Sequence, residues 1–188
     1  MAKSKSQSKA KSARSASPKS QDAVALLKAD HRQVEEWFEQ FEKARDDNRK
    51  QTLATKICDA LTVHATIEEE IFYPAFLEAT GDQDMHHEAE IEHDGAKQLI
   101  AQIRESSPED EYFDSKVKVL SEMIKHHVKE EEQSGGMFAE ARKSDMDLDA
   151  LGEQMAQRKA ELEDSGDPEM SPPPGRRAGL QERAPVRR

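Results

Sequence analysis

A single cysteine, Cys58, leaves this 188-residue chain without an internal disulfide. The staple on which small secreted domains depend is therefore excluded, and a reducing, cytoplasmic setting is the expectation. Cys58 falls inside a helical stretch and reads as an inert small residue. No apolar run approaches the roughly 18 residues of a membrane span, and residues 1–20 lack the apolar centre of a secretory leader, so no membrane partner is expected. Asn-Gly hairpin turns and sustained polar–apolar alternation are also missing, which argues against strands. Aromatic residues make up 5% and apolar residues 35% of the chain, against 36% charged. Such a core is lean, but it suffices for a helical bundle, where each helix needs one apolar stripe.

Charge is unevenly spread. Residues 1–20 carry Lys3, Lys5, Lys9, Lys11, Arg14 and Lys19 with no acid. Residues 166–188 carry Arg176, Arg177, Arg183, Arg187 and Arg188 against Asp167, Glu169 and Glu182. With a net charge of −11 for the whole chain, the segment between them is strongly acidic. That argues against nucleic-acid binding except weakly, through the tails. Both ends have too few large apolar groups to offset ordering entropy, and Pro172, Pro173, Pro174 and Gly175 break any helix. The predicted organisation is a disordered basic tail (1–20), a four-helix unit (21–142), an additional helix (143–165) and a disordered Pro/Arg tail (166–188).

Five amphipathic helices are predicted between the tails. The first, Asp22 to Lys43, presents Val24, Leu27, Val34, Phe38 and Phe41. The second, Arg49 to Ala79, presents Leu53, Ile57, Leu61, Phe72 and Phe76, with a kink expected at Pro74. The third starts near Asp84 and presents Ala89, Ala96, Ile100 and Ile103. For the fourth, Ser107-Pro108-Glu109-Asp110 reads as an N-cap, a proline at the first position, then acids on the positive end. It presents Phe113, Val117, Leu120 and Ile124. A shorter fifth helix, Asp147 to Glu163, presents Leu148, Leu151, Met155 and Leu162. Short connections make the first four antiparallel neighbours, so the fold class is all-α, an up-down-up-down four-helix bundle with a short C-terminal helix.

Each of the four main stripes is interrupted by histidine. His31 stands between Leu27 and Val34. The series Leu53, Ile57, Leu61 continues as His64 and Glu68. His93 stands between Ala89 and Ala96, and the fourth stripe continues to His127 and Glu131. Spacings of three and four keep these side chains on the core face. A buried, uncompensated carboxylate costs several kcal/mol, a large part of a domain's roughly 5–15 kcal/mol stability. Paired cations remove that penalty, and imidazole with carboxylate suits iron, manganese or zinc. The plainer alternative is a set of hydrogen-bonded core histidines. The ligand heights agree within one or two turns across the first two connections. The third matches less well, roughly 14 residues against 20, unless its loop is extended. His126 with Glu130 repeats the His-x-x-x-Glu spacing one residue earlier, but off the apolar series. His86 and His87 are expected at the surface. Glu69, Glu70, Glu130 and Glu132 read as a solvated face able to support the ligands, with Asp30 and Asp94 as further supporting candidates.

Asp30-His31-Arg32, His64-x-x-x-Glu68-Glu69 followed by Ile71-Phe72-Tyr73-Pro74, Glu92-His93-Asp94 and His127-x-x-x-Glu131-Glu132 together resemble the hemerythrin or HHE cation-binding family, over about residues 22–142. The resemblance implies two non-haem iron ions with an oxo or hydroxo bridge. His31, His64, His93 and His127 would be terminal ligands, and Glu68 and Glu131 would bridge. Manganese or zinc fits the same donors. Two departures matter. Oxygen-carrying hemerythrins have a further histidine where this chain has Ala89, and an Asp five residues after the fourth-helix histidine, where this chain has Glu131 four after. The pattern is closer to the four-His, two-Glu branch that includes iron–sulfur repair and nitric-oxide-linked proteins, without the Cys-rich N-terminal segment some of those carry. The implied function is binding of, or response to, O2, NO or related oxidants in a stress response. The alternative is an iron-handling or sensing protein without turnover, acting through a protein partner that the sequence does not identify. A ferritin-like oxidase would need two Glu-x-x-His motifs; only Glu90-x-x-His93 has that spacing, leaving Glu90 as a possible extra ligand.

Overall fold

Each predicted stripe folds as a helix in the computed structural model, which describes residues 21–165. The predicted tails, 1–20 and 166–188, lie outside the described residues. Helix α1 (Ala23–Lys43) starts where Asp22 Oδ1 accepts a hydrogen bond from the Ala25 N–H at 2.8 Å. Asp46 caps α2 (Asp47–Ile67) in the same way through Arg49 at 2.9 Å. Asp82 caps α4 (Gln83–Arg104) through Met85 at 3.1 Å. In each case a carboxylate satisfies a free N–H at the positive end of the helix.

The second long helix does not bend simply at Pro74. It widens by one π-helical turn, Glu68–Phe72, before resuming as α3 (Tyr73–Thr80). Tyr73 N–H donates to Glu68 O, five residues back, at the step before the proline. The inserted residue changes which side chains share a face.

The fourth helix of the bundle corrects the expected start. Helix α5 runs Phe113–Glu132, and Ser107-Pro108 does not cap it. Residues 107–112 form turns: Asp110 N–H donates to Ser107 O at 2.9 Å, and Phe113 N–H to Asp110 O at 3.0 Å. The local capping signal yields to tertiary packing, because starting at Phe113 buries that ring completely. The longer connection also removes the mismatch in ligand height across the third turn.

Helices α1, α2, α4 and α5 pack as a ring of neighbours. One end of their interior is closed by Phe38, Phe41, Leu53, Ile57, Phe113 and Leu120. The other end needs two further elements. Helix α6 (Met137–Lys143), not anticipated from the sequence, inserts Met137, Phe138 and Ala141. Helix α7 (Leu148–Ser165), the expected fifth helix, brings Met155 to the same cluster and packs on α1 and α2. A Cβ on Gly152 of α7 would lie 2.3 Å from Gln21 O, so only glycine permits this approach to the start of α1.

Candidate metal centre

Between the two apolar ends lies a polar layer. His31, His64, Glu68, His93, His127 and Glu131 are each at most 5% exposed. The fold brings all six together. On one side His31 Nε2 and His64 Nε2 are 3.1 Å apart; on the other His93 Nε2 and His127 Nε2 are 3.3 Å apart. Each carboxylate spans the two pairs. Glu68 Oε2 lies 3.2 Å from His64 Nε2 and 3.4 Å from His93 Nε2. Glu131 Oε2 lies 3.4 Å from His31 Nε2 and 3.6 Å from His127 Nε2. His126, the off-stripe alternative, is on the outside, its side chain 62% exposed.

The outward nitrogens are held by carboxylates. His31 Nδ1 is 2.9 Å from Glu132 Oε1, His93 Nδ1 is 2.9 Å from Glu69 Oε1, and His127 Nδ1 is 2.7 Å from Glu92 Oε2. Asp30 makes a looser contact, 3.6 Å from His64 Nδ1. Such contacts set ring tautomer and orientation and make the inward nitrogen a better donor. Asp30, Glu69 and Glu132 take the supporting place that the sequence suggests for them. Glu92 has no such signal in the sequence, and Asp94 is exposed. The Glu-x-x-His partner Glu90 faces His86, at 3.8 Å. His86, expected at the surface, is partly buried, edge-on to the Tyr73 ring at 6.0 Å.

Tyr73 is the residue of this site that periodicity missed. Fully buried, its hydroxyl reaches into the layer, 3.2 Å from His93 Nε2, 3.3 Å from Glu131 Oε1 and 3.5 Å from Glu68 Oε2. In a regular α-helix, residue 73 would project about 140° from Glu68. The π turn absorbs one residue and reduces that to about 40°.

The electrostatics are those of a crowded, dry site. Burial opposes protonation of His64, yet the Glu68 and Asp30 carboxylates overcome it and push its pKa up to about 10. Burial and the charge of neighbouring His64 lower His31 to about 4. Burial and the Glu68 charge push Glu131 up to about 8. Glu68 itself goes well below the usual carboxylate range, because His64 and His93 outweigh its burial. Even so, Glu68 Oε1, Glu131 Oε2 and His64 Nδ1 are buried without a hydrogen-bond partner. Orphaned buried carboxylate oxygens facing imidazole nitrogens fit a cation better than they fit each other.

The sequence of residues 22–135 matches the model of the hemerythrin HHE cation binding domain. The chain belongs to this family. The matched HHE segment carries the six buried histidines and glutamates on four helices, and α6 and α7, which follow it, cover that layer. Its fold is also that of a crystal structure of a hemerythrin HHE cation binding domain-containing protein from Mycobacterium kansasii, at a TM-score of 0.65 and 20% identity, over 77% of this chain and 88% of that one. Among curated proteins, a DNA nickase from Nostoc sp. is 31% identical over 117 residues, 62% of this chain. This HHE chain spans about a third of that relative, 32% of its length. No described helix is long and apolar enough to cross a membrane.

An apolar cavity adjoins the centre. Val34, Leu61, Ala65, Ala96, Ile100 and Ile124 line it together with the four site histidines.

Proposed function

We propose that this HHE domain holds two iron ions and binds a small diatomic oxidant, O2 or nitric oxide, as part of a stress response. One observation carries the reading: each buried carboxylate touches one imidazole from each pair, the arrangement that lets two carboxylates bridge two ions. His31 and His64 would hold one ion and His93 and His127 the other, with Glu68 and Glu131 shared. When bound, iron supplies the redox chemistry and an open coordination position; manganese and zinc suit the same donors. The chain's own residues do the rest. Glu132, Glu69, Glu92 and Asp30 hold the rings in position, and the apolar cavity limits water and admits an uncharged ligand. Tyr73 places a hydroxyl hydrogen within reach of the Glu131 carboxylate.

Metal analysis with optical spectra of the purified protein tests this. The expected result is two irons per chain, with absorption bands that change on exposure to oxygen or nitric oxide. A colourless, gas-insensitive holoprotein would count against diatomic binding. His64→Ala and Glu131→Ala should each lower the metal content toward one ion or none; two metals retained in both variants overturns the ligand set.

A second reading, iron handling or sensing without turnover, rests on a specific contact. Lys159 of α7 ion-pairs with Asp30, the residue beside His64. Order at the centre is thereby linked to the helix that leads into the C-terminal segment. The nickase relative is named for action on DNA, and the basic segments are where this chain would touch nucleic acid. Deleting residues 1–20 and 166–188 separates the readings: partner binding should vanish while the spectrum of the centre stays.

A further inference from the structure

We propose that Glu92, His126 and Glu130 form a surface site for a divalent cation, at the mouth of an acidic cleft through which that cation reaches the buried centre. The proposal rests on the metal-binding reading above.

The four carboxylates that hold the histidine rings are not equivalent. Glu132 ion-pairs with Arg32 at 2.6 Å, Glu69 with Lys97 at 2.6 Å, and Asp30 with Lys159. Among the described residues, no lysine or arginine ion-pairs with Glu92. Its Oε2 holds His127, and its Oε1 lies 3.3 Å from His126 Nε2. His126 Nε2 is also 3.2 Å from Glu130 Oε1, and the three donor atoms all lie within 4.8 Å of one another. Donors bound at about 2.0–2.2 Å around a tetrahedral ion stand about 3.3–3.6 Å apart, close to the two separations that His126 makes. The three donors come from two packed helices, with His126 and Glu130 one turn apart on α5 and Glu92 on α4. The exposure of His126 leaves the remaining coordination positions to water.

What lies behind this cluster gives it a role. A cleft of about 110 Å³ is bounded by Glu88, Glu92 and Glu130 and also by His127 and Glu131 of the centre. Glu131 is 3% exposed, and its Oε2 has no hydrogen-bond partner. One continuous cleft therefore touches both the surface cluster and a proposed bridging carboxylate. Its outer lining holds Glu88, Glu92 and Glu130 and no lysine or arginine, so the field there draws cations in toward Glu131. The turn beneath it is shaped by Gly136, where a Cβ would lie 2.1 Å from Glu130 O. The apolar cavity differs: its wall is largely hydrocarbon, and its one carboxylate, Asp30, is matched by Lys97 in the same wall. Cation and uncharged ligand thus have separate doors.

The test uses the metal-free full chain and its His126→Ala/Glu130→Gln variant, loaded with Co2+ and followed by its visible absorption. Both positions are outside the core, and Glu92 is kept because it holds His127. Wild type is expected to fill the centre with two Co2+ and to bind a third more weakly. The variant should lose the third ion and fill the centre roughly tenfold more slowly, the low end of what an oriented field adds to an on-rate. Equal filling rates overturn the entry route. Absence of a third ion from wild type overturns the surface site and leaves Glu92, His126 and Glu130 as a contact cluster between α4 and α5. A wild type that takes up no Co2+ refutes the buried centre itself, a result distinct from two ions filling without a third.

Discussion

The two ends of the bundle are built differently. At the end formed by Phe38, Phe41, Leu53, Ile57, Phe113 and Leu120, four helices close on one another with hydrocarbon alone. At the other, Val24, Leu27, Phe72 and Phe76 require Phe138 of α6 and Met155 of α7 to complete the enclosure. The polar layer sits between them, and α5 ends at Glu132, immediately after Glu131. The first end is a self-sufficient core; the second is a cover whose task is to keep water from six polar side chains. Stability and site integrity should therefore separate under mutation.

The largest effect is expected from Phe113→Ala at the self-sufficient end. It should cost about 4 kcal/mol in denaturant unfolding while the folded protein keeps its full metal content. Loss of metal in step with stability would show that the ends are not independent. Phe138→Ala should cost somewhat less, about 3 kcal/mol, but should also weaken metal binding. Its ring stacks on His31 at 5.8 Å and meets Phe72 edge-on at 5.7 Å. Competition with a chelator checks this, and unchanged affinity would make α6 a passive lid.

Tyr73→Phe sharpens the comparison within the layer. Ring packing against Phe72 and His86 survives, so unfolding should shift by only about 1 kcal/mol, whereas metal affinity should change roughly tenfold. The smallest effect concerns Cys58, in the self-sufficient end. Burial pushes its thiol up from 9.0 to about 12. A raised pKa means that the neutral thiol is favoured in the fold. The associated stability is intact below pH 9.0 and is lost as the pH rises toward about 12. Alkylation needs thiolate, so labelling at pH 8 should proceed only as fast as the chain opens. Rapid labelling of the folded protein would show that this end is looser than its packing implies.

The stripes made most of this legible. Leu53, Ile57, Leu61, His64 and Glu68 share a face by spacing alone, and the same logic separates buried His127 from exposed His126. Three features were illegible, each for a physical reason. Tyr73 enters the layer only because the helix widens by one residue, which a fixed period cannot show. Glu92 looks like any exposed helix glutamate until α5 is placed beside α4. Helix α6 has seven residues, too few for a periodic signal, and its insertion depends on the turn at Gly135-Gly136.

The order of apolar and ligating residues along each helix was sufficient to determine an all-α bundle with four histidines and two glutamates inside, because side-chain direction in a helix follows from spacing. Tertiary structure decided how those residues pair, which carboxylate holds which ring, and what seals the layer. Those relations join residues far apart in the chain: 101 positions separate His31 from Glu132, and 129 separate Asp30 from Lys159. At that range neither helical period nor local capping carries information, and only packing of whole helices brings the partners into contact.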